Sequence, residues 1–464
     1  MSEEKMQGTA AEAAASTAGA GASSQVAAII GWGTAGVNAV IALRAAGYGG
    51  TIRAFSDTDI LPYSPILTSY YAGGEKTYEE CFPWSAEALA ELNVEVVPNA
   101  HVAKIDPAEH RIVTEAGVEY AYDTCLVAVG ARPSTAGFPQ DCGYEPLVLR
   151  TMDDAARMKA AFRSPSCKRV LVSGASMIAL KSVEAALNCG LEVSLVGVND
   201  HVLDFSALPV AAERFERGLA AKGVQMRFGQ SIAGVRVLDG ADAEGGRLEV
   251  AFSGGDVERF DEIVVAHGVR SDLSLLDGSG IAVDRAIVVD DFMRTSAPGV
   301  FAAGDCAQAT ELITGEKRVL GIWKTAALQG QCAGRAMAAE LAGGEPAQAD
   351  AYRGAIMTNT IAVNGTLFIS AGLVDPREIP GVAVEVQETD DMTVVCLYEN
   401  GQDDVSCEGD ICVEAGCGED GATKLGPGAR LVGFNVVADV DEPGGTAYDV
   451  GAMLSLRIEE ACRK

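Results

Sequence analysis

The sequence predicts an α/β fold with two Rossmann-like dinucleotide-binding units and a C-terminal α+β segment. Three observations predict it: a strand, glycine turn and helix around Gly31, the same succession around Gly174, and alternating apolar strands in residues 346–464. In the first unit, Val26-Ala-Ala-Ile-Ile30 is an apolar run of strand length, Gly31-Trp-Gly33-Thr-Ala-Gly36 follows at once, and a helical stretch continues to Ala46, where Gly47 stops it. A GxGxxG between a buried strand and a helix start is the context a dinucleotide needs; an ordinary tight turn is the plainer alternative. Gly31 permits the turn, Gly33 lets the backbone approach a pyrophosphate, and Gly36 allows close helix packing. The helix N-terminus then offers unpaired N–H groups to phosphate oxygens.

A second strand, Thr51–Phe55, leads to Asp57, the carboxylate best placed to accept hydrogen bonds from a ribose about 20 residues after the glycines; a turn aspartate is the alternative. Residues 123–130 read as a buried strand that ends in a small-residue turn and returns to the same sheet. The second unit, Arg169 to Lys181, repeats the geometry with altered chemistry. Gly174 keeps the first glycine, Ser176 and Ala179 replace the second and third, and Gly197 stands where a ribose carboxylate would. The Cβ of Ser176 crowds the point where a phosphate comes nearest, and residues 197–201 hold no Arg or Lys for a 2′-phosphate. A fold retained with a weakened or lost nucleotide site therefore stands beside a working site. Further on, the run from Val300 leaves Asp305 at the end of a buried strand, where a carboxylate asks for donors. Trp323-Lys-Thr-Ala-Ala327 opens an alanine-rich helix with a positive N-terminal end.

Taken together, GWGTAG (31–36), TCLVAVGARP (124–133), VFAAGDC (300–306) and WKTAALQGQ (323–331) resemble the FAD-containing pyridine nucleotide-disulfide oxidoreductases. The likeness is greatest to the branch of rubredoxin and ferredoxin reductases and the flavin subunits of multi-subunit 2-oxoacid or aldehyde oxidoreductases. The resemblance implies that Gly31, Gly33, Thr34, Ala35 and Gly36 hold the FAD pyrophosphate, Asp57 the adenosine ribose and Val102 the adenine through its backbone. It also implies that Ala128, Gly130 and Arg132 form the turn beside the cofactor, that Asp305 binds the ribityl and phosphate region, and that the helix containing Ala327 points its positive end at the flavin. Gly174, Ser176 and Lys181 would belong to the NAD(P)H site. The implied organisation is an FAD domain in two pieces, residues 25–149 and 285–345, an NAD(P)-type domain at 150–284, and an interface domain at 346–464 after a disordered tail at 1–24.

The sequence also departs from that family. The stretch Leu61 to Tyr71 carries no cysteine where disulfide reductases keep a redox-active thiol, which argues against sulfur relay chemistry. Pro62, Tyr63 and Pro65 resemble instead the LPYS-P loop of cysteine-free reductases. Lys181 stands where the family places a glutamate near the nicotinamide, and His267 reads as a hydrogen-bonded packing residue rather than an acid or base. Cys407, Cys412 and Cys417 read as an acidic loop with free thiols; a metal or iron–sulfur cluster with Cys396 as fourth ligand is the alternative.

With 35 Lys and Arg against 65 Asp and Glu, the formal charge is −30, a surface that repels nucleic acid and anionic lipid and suits a basic redox partner. No run approaches the roughly 20 apolar residues that span a bilayer, and the scattered cysteines suit a reducing cytoplasm. The expected function is an FAD oxidoreductase moving electrons between NAD(P)H and a redox protein or iron–sulfur partner subunit, as a homodimer or hetero-oligomer. An electron-wiring subunit that has lost NAD(P)H and a flavin reductase of a small molecule are the alternatives.

Overall fold

Apolar runs buried on both faces become central parallel strands, and the two units follow that rule. A computed structural model describes residues 25–239, 245–375, 382–399, 429–439 and 446–462; the 1–24 tail and Cys407, Cys412 and Cys417 lie outside them. In the first unit Val26–Ile30 pairs in parallel with Thr51–Phe55 on one side and Thr124–Val127 on the other. Glu95–Val97 and the distant Val300–Ala302 complete a five-stranded parallel sheet. Residues separated by most of the second unit thus share one sheet and one core with Val26–Ile30. In the second unit Arg169–Ser173 lies between Glu192–Val196 and Glu262–Val265, with Gln225–Arg227 at the edge.

Each unit also carries a three-stranded antiparallel meander just before its returning strand. Val102–Asp106, Arg111–Thr114 and Glu119–Ala121 form the first. Ile232–Val237, Leu248–Phe252 and Val257–Phe260 form the second. A short antiparallel pairing of Arg132–Pro133 with Val269–Arg270 joins the two units.

The helix Thr34–Ala45 packs against Trp323–Leu341 at unusually close range, because a Cβ on Gly330 would lie 2.2 Å from the Ala35 carbonyl oxygen and one on Gly334 2.3 Å from that of Ala39. Gly47, at φ +86°, ends the first of these helices. The C-terminal segment is a five-stranded antiparallel sheet covered by the helix Thr446–Cys462, and its core is continuous with that of the second unit. Its strands include Thr366–Gly372, Val382–Glu388 and Arg430–Asp439, where the sequence predicts alternating apolar strands.

Candidate functional site

The glycine turns show what the two units share. A Cβ on Gly31, at φ +106°, would lie 2.2 Å from the carbonyl oxygen of Ala128; on Gly174, at φ +125°, it would lie 2.4 Å from that of Ala266. Only glycine lets each turn cross its neighbouring strand this closely. Gly36 sits beneath the first turn, where a Cβ would come 2.2 Å from the Gly31 carbonyl oxygen, so its part is helix packing.

The helix ends then diverge. The first helix begins at Gly33 with no side-chain cap, and a Cβ there would meet nothing within 4 Å. Its first N–H groups are free for an anion. The second helix, Met177–Asn188, is capped by Ser176, whose hydroxyl accepts from the Ala179 N–H. The serine therefore occupies a donor that a pyrophosphate would use.

A cleft of about 1560 Å³ opens over the first turn, above the roughly 300–1,000 Å³ of common ligand pockets. Gly31, Gly33, Thr34 and Ala35 line it, as do Asp57, Val102, Ala128, Gly130, Arg132 and Asp305. Ala327 does not; the helix turn presents Ala326 instead. Gly174, Ser176 and Lys181 also lie outside the lining, although Met177 and Ile178 reach it.

Within the cleft, Asp57 accepts from Arg132 at 3.0 Å and stands 3.1 Å from His101 Nδ1. Hydrogen bonds from Ser274 hold the Asp272 carboxyl below the usual carboxylate range, and the charges of Arg132 and His101 add to them. Asp305, left by its strand in search of donors, accepts from Arg150 at 2.6 Å. Sequence reasoning missed Arg150; the adjoining Thr151 and Asp154 signal a helix start, yet nothing local announces a partner 155 residues away. Trp323 at the cleft wall stacks on Trp84, with ring centroids 6.5 Å apart.

Lys181 does not confront the cleft with a free charge. Its ammonium pairs with Glu184 and lies 3.9 Å from the Tyr70 ring centroid, so the expected reversal of charge is absorbed one turn along the helix. His267 is a hydrogen-bonded residue as expected. Its Nδ1 lies 2.8 Å from the Ala136 carbonyl, which can only accept, so Nδ1 donates, and its Nε2 lies 2.8 Å from the Ser173 hydroxyl.

The cleft takes Pro62, Tyr63 and Pro65 from the Leu61 to Tyr71 stretch. Burial raises the Tyr63 phenol, while the charge of Arg150 opposes that rise. Cys306 lies behind the wall, where burial pushes its thiol up to about 11. Cys142, not singled out from the sequence, is the cysteine that lines the cleft among the described residues, and its thiol turns to the Tyr144 carbonyl.

An uncapped helix N-terminus, a turn that excludes Cβ atoms and carboxylates at Asp57 and Asp305 together fit the pyrophosphate and hydroxyls of a flavin dinucleotide. Comparison with known proteins agrees. The profile of the pyridine nucleotide-disulphide oxidoreductase family matches residues 26–330, and the chain belongs to that family. The NADH-dependent phenylglyoxylate dehydrogenase subunit epsilon of Aromatoleum evansii is 30% identical over 344 residues, 74% of this chain and 78% of that protein. The rubredoxin-NAD(+) reductase of Pseudomonas putida is also 30% identical, over 62% of this chain and 73% of its own. In fold, the covalent putidaredoxin reductase–putidaredoxin complex is similar with a TM-score of 0.74 at 21% identity, covering 94% of each chain. The protein is an FAD-dependent oxidoreductase. No described helix is long and apolar enough to cross a membrane.

Proposed function

We propose that this flavoprotein carries electrons between NAD(P)H and a redox protein or iron–sulfur partner subunit, with no cysteine in the path. The observation that carries this reading is a dinucleotide cleft whose Leu61 to Tyr71 wall holds proline and tyrosine but no thiol. Gly31, Gly33, Thr34 and Ala35 would hold the FAD pyrophosphate, with Gly36 supporting the turn. Asp57 would take the adenosine ribose, Val102 the adenine, and Asp305 the ribityl chain. Ala128, Gly130 and Arg132 would flank the cofactor.

FAD held there would supply hydride acceptance and one-electron donation. The protein's own residues would bind and orient it. The names of the relatives, which include a rubredoxin reductase and a dehydrogenase subunit, support an external protein acceptor. Unpaired cysteines in the described residues suit a reducing, cytoplasmic setting.

The test is anaerobic. Protein reduced with NADH should pass electrons to an added rubredoxin, ferredoxin or co-purifying iron–sulfur subunit, and prior alkylation of exposed thiols should leave that rate within twofold. A tenfold loss on alkylation would return cysteine to the mechanism. The Ser176 cap favours a second reading, an electron-wiring subunit that keeps FAD and has lost NAD(P)H. Its signature would be flavin reduced by the partner protein but by neither nucleotide.

A further inference from the structure

We propose that the acidic, aromatic-centred surface around Tyr78, beside the mouth of the cleft, docks an electron-carrying protein through a basic face of that partner. This rests on the electron-carrying function proposed above. The surface has an apolar centre, since Leu61, Ile66 and Tyr78 are 38%, 56% and 37% exposed. The Tyr78 ring packs on Phe82 with centroids 5.0 Å apart, and Phe82 meets Tyr63 edge-on at 6.4 Å. Tyr63 lines the cleft together with Leu61 and Ile66. Two ring contacts therefore join Tyr78 to the cleft wall, and a carrier seated over Tyr78 is set against that wall. Aromatic and aliphatic side chains inside a polar rim are the usual anatomy of a protein-binding face.

The rim carries charge of one sign. Residues 57–91 hold seven Asp and Glu against a single basic residue, Lys76, and Glu80 takes that ammonium at 2.8 Å. Burial raises the Tyr78 phenol above its ordinary range, and the charges of Asp153 and Asp59 add to the rise, so both carboxylates stand near the ring. Asp59, Glu79 and Asp153 are exposed. Lys159, on the helix Met152–Phe162, is turned onto the Tyr71 ring at 3.7 Å, and Arg150 is committed to Asp305. The partner that fits therefore brings positive charge, whereas an acidic carrier meets repulsion around the rim. Attraction of this kind also steers the encounter, which makes the association rate fall as salt rises.

The experiment titrates FAD-loaded protein to full flavin reduction with dithionite and mixes it anaerobically with excess ferric cytochrome c, a strongly basic one-electron acceptor. Each reduced flavin gives up two electrons, one to each of two haems, and a proton to solvent. Wild type is compared with a triple variant of the surface, Asp59→Lys, Glu79→Lys and Asp153→Lys, and with Tyr78→Ala. The control is Glu109→Lys, Glu213→Lys and Glu460→Lys, which changes the net charge equally at exposed positions on other elements. At low salt the surface variant should reduce the haem roughly tenfold more slowly than wild type and the control less than about threefold more slowly. Tyr78→Ala should slow transfer about threefold at every salt concentration. Rising salt should slow wild type and narrow the gap. An unchanged rate in the surface variant or in Tyr78→Ala, an equal fall in surface variant and control, or a wild-type rate that salt raises would overturn the proposal. Should the surface variant fail to load flavin, Glu79→Lys against Glu213→Lys decides it, with a difference of about twofold expected. Transfer to an acidic ferredoxin but not to cytochrome c would overturn the proposal as well. Transfer to neither would instead overturn the electron-carrying function on which it rests.

Discussion

A single hydrogen atom in place of a methyl group at Gly31 lets the first turn pass the Ala128 carbonyl. The substitution Gly31→Ala should therefore cost about 2 kcal/mol or more, since the new Cβ meets rigid backbone and must also hold a positive φ. Thermal unfolding and the flavin content of the purified protein would both fall; an unchanged melting temperature with full flavin would contradict the geometry. This residue was legible because a glycine pattern after a buried strand has a known physical meaning. Asp305 was legible in half. Its need for donors followed from its place at a strand end, but its partner, Arg150, is distant in sequence and carries no local signature. Lys181 was legible as a departure from the family's glutamate, but its pairing with Glu184 and its place 3.9 Å from the Tyr70 ring are set in three dimensions.

Two helices of equal length, Thr34–Ala45 and Met177–Asn188, leave matching turns and end differently at their N-termini. The first is open at Gly33 and the second closed by the Ser176 hydroxyl. Replacing Ser176 with glycine should cost only a few tenths of a kcal/mol, as Ser-to-Gly caps do, while freeing an N–H for phosphate. The variant should bind NADH severalfold more tightly in equilibrium titration. Equal or weaker binding would show that the cap is not what limits the second site. Central parallel strands such as Val26–Ile30 and Arg169–Ser173, with both glycine helices, were readable from their apolar runs, whereas the edge strands Glu95–Val97 and Gln225–Arg227 were not. Nor were the meanders, since strands such as Val102–Asp106 are short, carry charged residues and bury only Val102 and Ile105.

At the scale of the whole molecule, one sheet gathers strands from both ends of the family-matched region, and that return of Val300–Ala302 to the sheet of Val26–Ile30 brings Asp305 to the cleft. The sequence could announce this arrangement only through its resemblance to a family, since no local pattern records which strands pair across a long insertion. The same arrangement keeps Cys306 buried behind the wall, where burial pushes its thiol up to about 11. The most direct measurement is anaerobic stopped-flow spectroscopy of the FAD-loaded protein mixed with millimolar NADH or NADPH. The account predicts slow bleaching of the flavin by NADH, little preference for it over NADPH, and no long-wavelength band from a thiolate beside the flavin. A strong thiolate band on reduction, or a protein that carries no flavin to bleach, would contradict it.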